Sequence, residues 1–251
     1  MNSKERFTDR VDHYVQYRPS YPGAAIDYMY DAAGLGSNSI VADIGAGTGI
    51  FTKLLLERGS EVIAVEPNEG MRGAAEKELG GHPRFRASAG SAEATGLPDG
   101  AVDFIVCAQS FHWFDRTAAQ AEFRRILKPG GKAVLIWNSR VTTGNPFLAD
   151  FDRLLHKFGA DYEKVGHKNI TQQTLSAFFS HGGPQLVRFK NGQKLSFESL
   201  KGRLLSSSYS PLPGQPAYEP MISELRELFD RNQLNGQVSL DYETELYWGE
   251  V

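Results

Sequence analysis

Two spacings of apolar residues alternate along the first half of the chain. Uninterrupted apolar runs over residues 41–44, 61–65, 104–108 and 133–137, with a weaker one over 85–88, predict five strands. Between them, residues 24–33, 51–56, 71–79 and 117–127 carry apolar positions three and four apart, the spacing of a helix with one buried face. Pro22 suits the first turn of the first helix, which Gly34 and Gly36 stop, and Pro67-Asn68 starts the third. Lys128-Pro129-Gly130-Gly131 forces the fourth to stop and turn before the last run. Alternation of this kind builds a mostly parallel sheet with helices on both faces. The 104–108 run fits a central strand covered on both sides.

Beyond Arg140 the pattern loosens. Phe147, Phe151, Leu154, Leu155 and Phe158 predict a helix, and Leu175, Phe178 and Phe179 another. Residues 185–189 and 193–197 flank Asn191-Gly192, a hairpin or bulge signal. A polar loop over 206–220, a helix over 219–232 and a last strand over 238–247 follow.

Composition narrows the function. With 251 residues, 41% of them hydrophobic, the chain can bury one sizeable core. A net charge of -3 gives no global drive toward nucleic acid. No apolar run is long enough to span a bilayer, and the charged start lacks the apolar centre of a secretory signal, so a cytoplasmic location without membrane partners is expected. Cys107 lies inside an apolar run and is expected to be a buried structural thiol. The six histidines lack metal-ligand spacing, and no metal is expected.

The candidate chemistry starts where the first strand breaks into Asp43-Ile44-Gly45-Ala46-Gly47-Thr48-Gly49. Glycine lets a ligand approach the backbone closely, and the second strand ends at Glu66, about twenty residues after the first glycine, the separation that sets a carboxylate against ribose hydroxyls. A nicotinamide-dependent oxidoreductase would share this unit, but Ile50 stands where its third glycine belongs. Gln109, Ser110, Phe111, His112, Trp113 and Phe114 emerge from the carboxyl end of the fourth strand, the edge where open α/β sheets bind ligands. These aromatics serve either as a cap over the core or as a substrate wall. The aromatic, basic segment from Phe7 to Tyr21 likewise either covers the sheet or closes over a ligand.

The glycine loop with Val65-Glu66-Pro67-Asn68 resembles class I S-adenosylmethionine-dependent methyltransferases of the small-molecule type, the trans-aconitate and ubiquinone-biosynthesis group. The N-terminal Tyr-x-x-x-Arg-Pro pattern, the stretch from Ser91 to Asp103, His112-Trp113-Phe114-Asp115 and Leu127-Lys128-Pro129-Gly130-Gly131 extend the likeness across roughly residues 7 to 140. Thr8 replaces the usual aspartate, and one extra residue precedes Leu97. The resemblance implies a seven-stranded, mostly parallel twisted sheet with helices on both faces and an antiparallel last strand. It implies S-adenosylmethionine as cofactor, with S-adenosylhomocysteine as product and a small molecule as acceptor. Asp43, Gly45, Ala46 and Gly47 would form the cofactor loop, and Glu66 would hold the ribose. Pro67, Asn68, Met71, Ser91, Ala92, Glu93 and Gln109 would complete that site, Met71 doubling as core, and a lid would bring Tyr14 and Arg18 to the cofactor carboxylate. His112, Trp113 and Asn138 would face the acceptor, His112 as base or as carboxylate clamp. Residues 1–140 would then be cofactor core and lid, 141–184 a variable helical cover, and 185–251 the remainder of the sheet. A protein that binds the cofactor without turnover would share every cofactor residue.

Overall fold

The strands assemble in the order β3-β2-β1-β4-β5-β7-β6. They are β1 (Ile40–Ile44), β2 (Glu61–Val65), β3 (Phe85–Ser88), β4 (Val102–Ala108), β5 (Leu127–Arg140), β6 (Gln185–Leu195) and β7 (Val238–Gly249). The computed structural model describes residues 10–163, 170–181 and 183–251; Phe7 and Thr8 of the expected lid, and part of the 141–184 segment, lie outside these. The first five strands run parallel, and β7 is antiparallel to both of its neighbours, as expected. The order reverses between β1 and β4, so a crevice opens outside their carboxyl ends.

Helices cover both faces. On one side α2 (Gly23–Asp31) and α3 (Ile50–Glu57) pack with Met29, Phe51 and Leu55 against Val41, Val106 and Val134. On the other, α5 (Arg116–Ile126) and α7 (Gln172–Phe178) bury Phe123, Ile126 and Phe178 against Ile105, Leu135 and Trp137. A third apolar cluster joins α6 (Pro146–Phe158), α8 (Phe197–Leu205) and α9 (Tyr218–Asn232) to Leu240 and Tyr242 of β7. The remaining helices, α1 (Val11–Tyr17) and α4 (Glu69–Leu79), flank the crevice.

Two local expectations change. Asn191-Gly192 forms no hairpin, because β6 runs straight through it and pairs with β7 in unbroken register from Gln185 opposite Trp248 to Leu195 opposite Val238. A full antiparallel ladder outweighs a two-residue turn preference. Asn191 turns its amide outward from the ladder, donating to Ser20 O at 2.9 Å and to Asn138 Oδ1 at 3.1 Å. The segment after Leu195 then leaves the sheet, Ser196 capping α8 by accepting from Ser199 N at 3.3 Å. In the second case, Pro129-Gly130-Gly131 does end α5 but lies within β5. Leu127 pairs with Val102 and Lys132 with Phe104, so the intervening residues bulge out of the ladder, with Gly130 at φ +77°.

Candidate active site

The loop after β1 is built from glycines with three different duties. All three adopt positive φ, at 70° for Gly45, 58° for Gly47 and 83° for Gly49. A Cβ on Gly45 would lie 2.6 Å from Ser110 Cβ, and one on Gly49 would lie 2.7 Å from Leu79 Cδ1, so these positions are small to admit β4's following loop and α4. A Cβ on Gly47 would meet nothing nearer than Met71 Cε at 3.7 Å and would project toward the cavity that Gly47, Met71 and Tyr14 line.

Two carboxylates sit beneath this loop. Glu66, at the end of β2, accepts from Gly47 N at 2.9 Å through Oε2 and from Asn68 N at 2.8 Å through Oε1. Burial raises its carboxyl above the ordinary range, against the pull of those two N–H groups and Arg72. Asp43 is fully buried in β1, where Thr52 Oγ1 donates to Oδ2 at 2.6 Å and Oδ1 has no hydrogen-bond partner among the described residues. Burial drives its carboxyl to about 7, with the Thr52 bond opposing and Glu66 assisting.

A cavity of about 100 Å³ lies above them, lined by Glu66, Pro67, Asn68, Met71, Ser91, Ala92, Glu93 and Gln109 among others. The sequence scattered these residues over the ends of β2 and β4 and the loop after β3; the sheet gathers them. Asn68 also caps α4, accepting from Met71 N at 3.0 Å. Glu93 accepts from Asp115 N at 3.0 Å and so ties its loop to the start of α5. Gln109 holds φ 59°, a conformation uncommon for a residue with a side chain, while its N–H donates to Ile136 O at 2.9 Å. This turn swings the chain away from the sheet and leaves Gln109 in the wall of two cavities.

The second cavity, about 360 Å³, shares Tyr14, Gly45, Ala108, Gln109 and Trp113 with the first. Ala46, Arg18, His112 and Asn138 also line it. Trp137 Nε1 donates to His112 Nδ1 at 3.4 Å, and the imidazole lies 4.8 Å from the Trp113 ring. Asn138 is held from three sides: Thr244 Oγ1 and Asn191 Nδ2 donate to its Oδ1, and its Nδ2 donates to Ser20 O at 3.2 Å. Its side chain therefore locks β5, β7, β6 and the segment before α2 together at the cavity wall.

The far wall was not anticipated. Arg140, Tyr162, Arg203, Tyr209 and Tyr242 converge there from the end of β5, α8, β7 and two connecting segments. One signal was available: Arg203 follows Leu200 by three residues and precedes Leu204, which puts an arginine on the buried face of α8. Helix α1 closes the top. Arg10 donates to Leu205 O at 2.6 Å and Ser210 O at 2.5 Å, and Arg18 to Ser206 O at 2.8 Å. Tyr17 packs so tightly on α8 that a Cβ on Gly202 would fall 2.2 Å from its ring.

Among the described residues no group of three or more His, Cys, Asp and Glu side chains is placed to hold a metal, and no helix is long and apolar enough to cross a membrane. Cys107 is buried, and burial pushes its thiol well above the ordinary value.

Known proteins resemble this chain in sequence and in fold. A family model described as a methyltransferase domain matches residues 42–135. An uncharacterized methyltransferase-like protein of Schizosaccharomyces pombe is 32% identical over 250 residues, covering 97% of this chain and 94% of that protein. An uncharacterized methyltransferase of Mycobacterium tuberculosis is 42% identical over 134 residues, 53% of this chain and 52% of its own. Among solved structures, a protein assigned as a type II methyltransferase from Anaeromyxobacter dehalogenans superposes with a TM-score of 0.69 at 23% identity, covering 93% of this chain and 98% of that one. The last likeness establishes the fold; the near-complete match to the yeast protein establishes the family. The glycine loop, the strand order and this kinship together make the chain a member of the class I S-adenosylmethionine-dependent methyltransferases.

Proposed function

We propose that the protein transfers a methyl group from S-adenosylmethionine, seated in the smaller cavity with its amino-acid end reaching the Arg18 side of the larger one, to a small molecule held in the remainder of the larger cavity. The observation that carries this reading is the shared wall: a ligand on the glycine loop and a ligand in the larger cavity would meet at Gly45, Gln109 and Trp113. The residues present fit the cofactor. Gly47 leaves open space where a side chain would intrude, Glu66 keeps lone pairs for two ribose hydroxyls, and the orphaned Asp43 Oδ1 suits a positively charged group. Tyr14 and Arg18, the latter with a buried Nε that has no partner among the described residues, would receive the cofactor's carboxylate. Pro67, Asn68, Met71, Ser91, Ala92 and Glu93 would enclose the adenine side, with Ala46 and Gln109 toward the methyl.

When bound, the cofactor supplies a methyl carbon already activated by a sulfonium. What the chain contributes is alignment and exclusion of water, and alignment alone is worth up to about 7–11 kcal/mol in favourable systems. With Nδ1 accepting from Trp137, the neutral ring of His112 carries its proton on Nε2 and can donate to an acceptor oxygen. Trp113 would form the apolar side of the acceptor and Asn138 the rigid floor. Residues 1–140 would serve the cofactor, the segment 141–184 would cover the acceptor, and 185–251 would complete the sheet.

Calorimetry tests the reading: S-adenosylhomocysteine should bind while NAD and NADP stay silent. Turnover of S-adenosylmethionine with carboxylates, phenols and amines then separates an enzyme of this kind from a protein that holds the cofactor without using it.

A further inference from the structure

Arg18, Arg140 and Arg203 all line the larger cavity; among the described residues its one lining carboxylate, Glu163, is 77% exposed and lies 3.1 Å from His156. Arg140 lies 3.9 Å from Asp152, with its side chain 12% exposed. Neither of the other two makes an ion pair among the described residues. Arg203, 7% exposed, is satisfied by neutral oxygens alone: Tyr242 at 3.1 Å, Ser207 Oγ at 3.1 Å and Ser206 Oγ at 3.4 Å. Arg140 contacts the hydroxyls of Tyr162 and Tyr209, yet its Nε is buried without a partner. Guanidinium groups stay charged in proteins, and a buried charge without an opposite charge is unfavourable.

Three buried cations against one partly buried carboxylate, Asp152, leave two positive charges, because the exposed Glu163 is screened by water. If the cofactor carboxylate meets Arg18, as the methyl-transfer reading has it, one remains on the far wall. We propose that Arg140 and Arg203 anchor a carboxylate of the methyl acceptor, so that the acceptors of this enzyme are small carboxylic acids. This rests on the methyl-transfer reading and adds the chemical class of its second substrate. Guanidinium forks match the planar, singly charged carboxylate in shape and charge, whereas a doubly charged phosphate would overcompensate the wall. Tyr209 reports the same field from inside the cavity. Burial alone would raise its phenol, but Arg140, then Arg203, with a bond to Ser207 and the more distant Arg18, hold it at about 8.

The test uses the full chain saturated with S-adenosylhomocysteine. Calorimetry would compare acetate, succinate, citrate and benzoate with their primary amides and with inorganic phosphate, in wild type and in Arg140→Gln and Arg203→Gln. At least one carboxylate should bind about tenfold or more tightly than its amide, and each variant should lose that preference. A second measurement needs no change to a buried arginine. The phenolate absorbance of wild type minus Tyr209→Phe should titrate about one pH unit or more higher when the preferred carboxylate is present, because the anion offsets the arginines. Equal binding of acids and amides, preference for phosphate, or an unmoved phenolate titration would each overturn the anchor while S-adenosylhomocysteine still binds. Failure of S-adenosylhomocysteine itself to bind would overturn the methyl-transfer reading and the anchor with it.

Discussion

Replacing Asp43 by asparagine should make the ligand-free protein more stable and the cofactor site worse. The carboxyl is fully buried, and burial, opposed by Thr52 and reinforced by Glu66, lifts it from an ordinary 3.8 to about 7. The unfolded chain ionises first, so the folded chain holds an extra proton between those values, and stability falls as pH rises from about 4 to about 7 and is level above. About three tenfold steps at 1.36 kcal/mol each amount to about 4 kcal/mol lost at pH 8. Asparagine removes that loss and keeps an oxygen for Thr52 Oγ1, but its buried N–H group, left without a partner, costs about 1–3 kcal/mol. The net gain at pH 8 is therefore about 1–3 kcal/mol, or several degrees in Tm for a domain of this size, at roughly 2–4 °C per kcal/mol. Near pH 4 the gain disappears and the variant is the less stable. Thermal melts from pH 4 to 8, paired with calorimetry of S-adenosylhomocysteine, read both effects. Wild-type affinity should rise with pH through the ionisation of Asp43, and the variant should bind more weakly with a flat profile. A variant that melts below wild type at pH 8, or that follows the wild-type pH profile in parallel, would refute the reasoning.

Glu66→Ala should weaken S-adenosylhomocysteine by about 1–3 kcal/mol, roughly five- to 150-fold, because two ribose hydroxyls lose a charged acceptor; unchanged affinity in calorimetry would remove Glu66 from the ribose. Gly45→Ala and Gly47→Val should fail differently: the first forces Ser110 aside and lowers Tm, while the second folds, with about 1–2 kcal/mol of backbone strain, and loses cofactor binding. A Gly47→Val protein of normal affinity would contradict the placement of the loop. His112→Ala, assayed across pH with a working acceptor, should slow turnover, because the acceptor loses a hydrogen-bond donor. Turnover equal to wild type at every pH would reduce the residue to a spacer beneath Trp113.

That the glycine loop and Glu66 come together was legible in the sequence because the signals are local. A strand that breaks into glycines and a second strand that ends in Glu66 each sit within a few residues, and parallel pairing alone brings them together. The 191–192 turn misled for the complementary reason: its true partners, Tyr242 and Asp241 of β7, lie about fifty residues away, and pairing over the length of β6 decided the conformation. The far wall of the larger cavity was hidden most deeply. Arg140 is the last residue of a strand, Arg203 lies in a short helix after what looked like strand, and Tyr209 stands in a polar stretch. Each is unremarkable alone, and only the packing of α6, α8 and α9 on β7 makes them neighbours.

Through Arg10 and Arg18, α1 is fastened to the carbonyls of Leu205, Ser206 and Ser210, the stretch that also carries Tyr209. Selection that reshapes this stretch for a new acceptor also moves the anchorage of the helix that carries Tyr14 and Arg18. On the methyl-transfer reading, acceptor range and cofactor affinity are therefore coupled through these contacts, and a variant bred for a bulkier acceptor should need a compensating change in α1 before it regains its grip on the methyl donor.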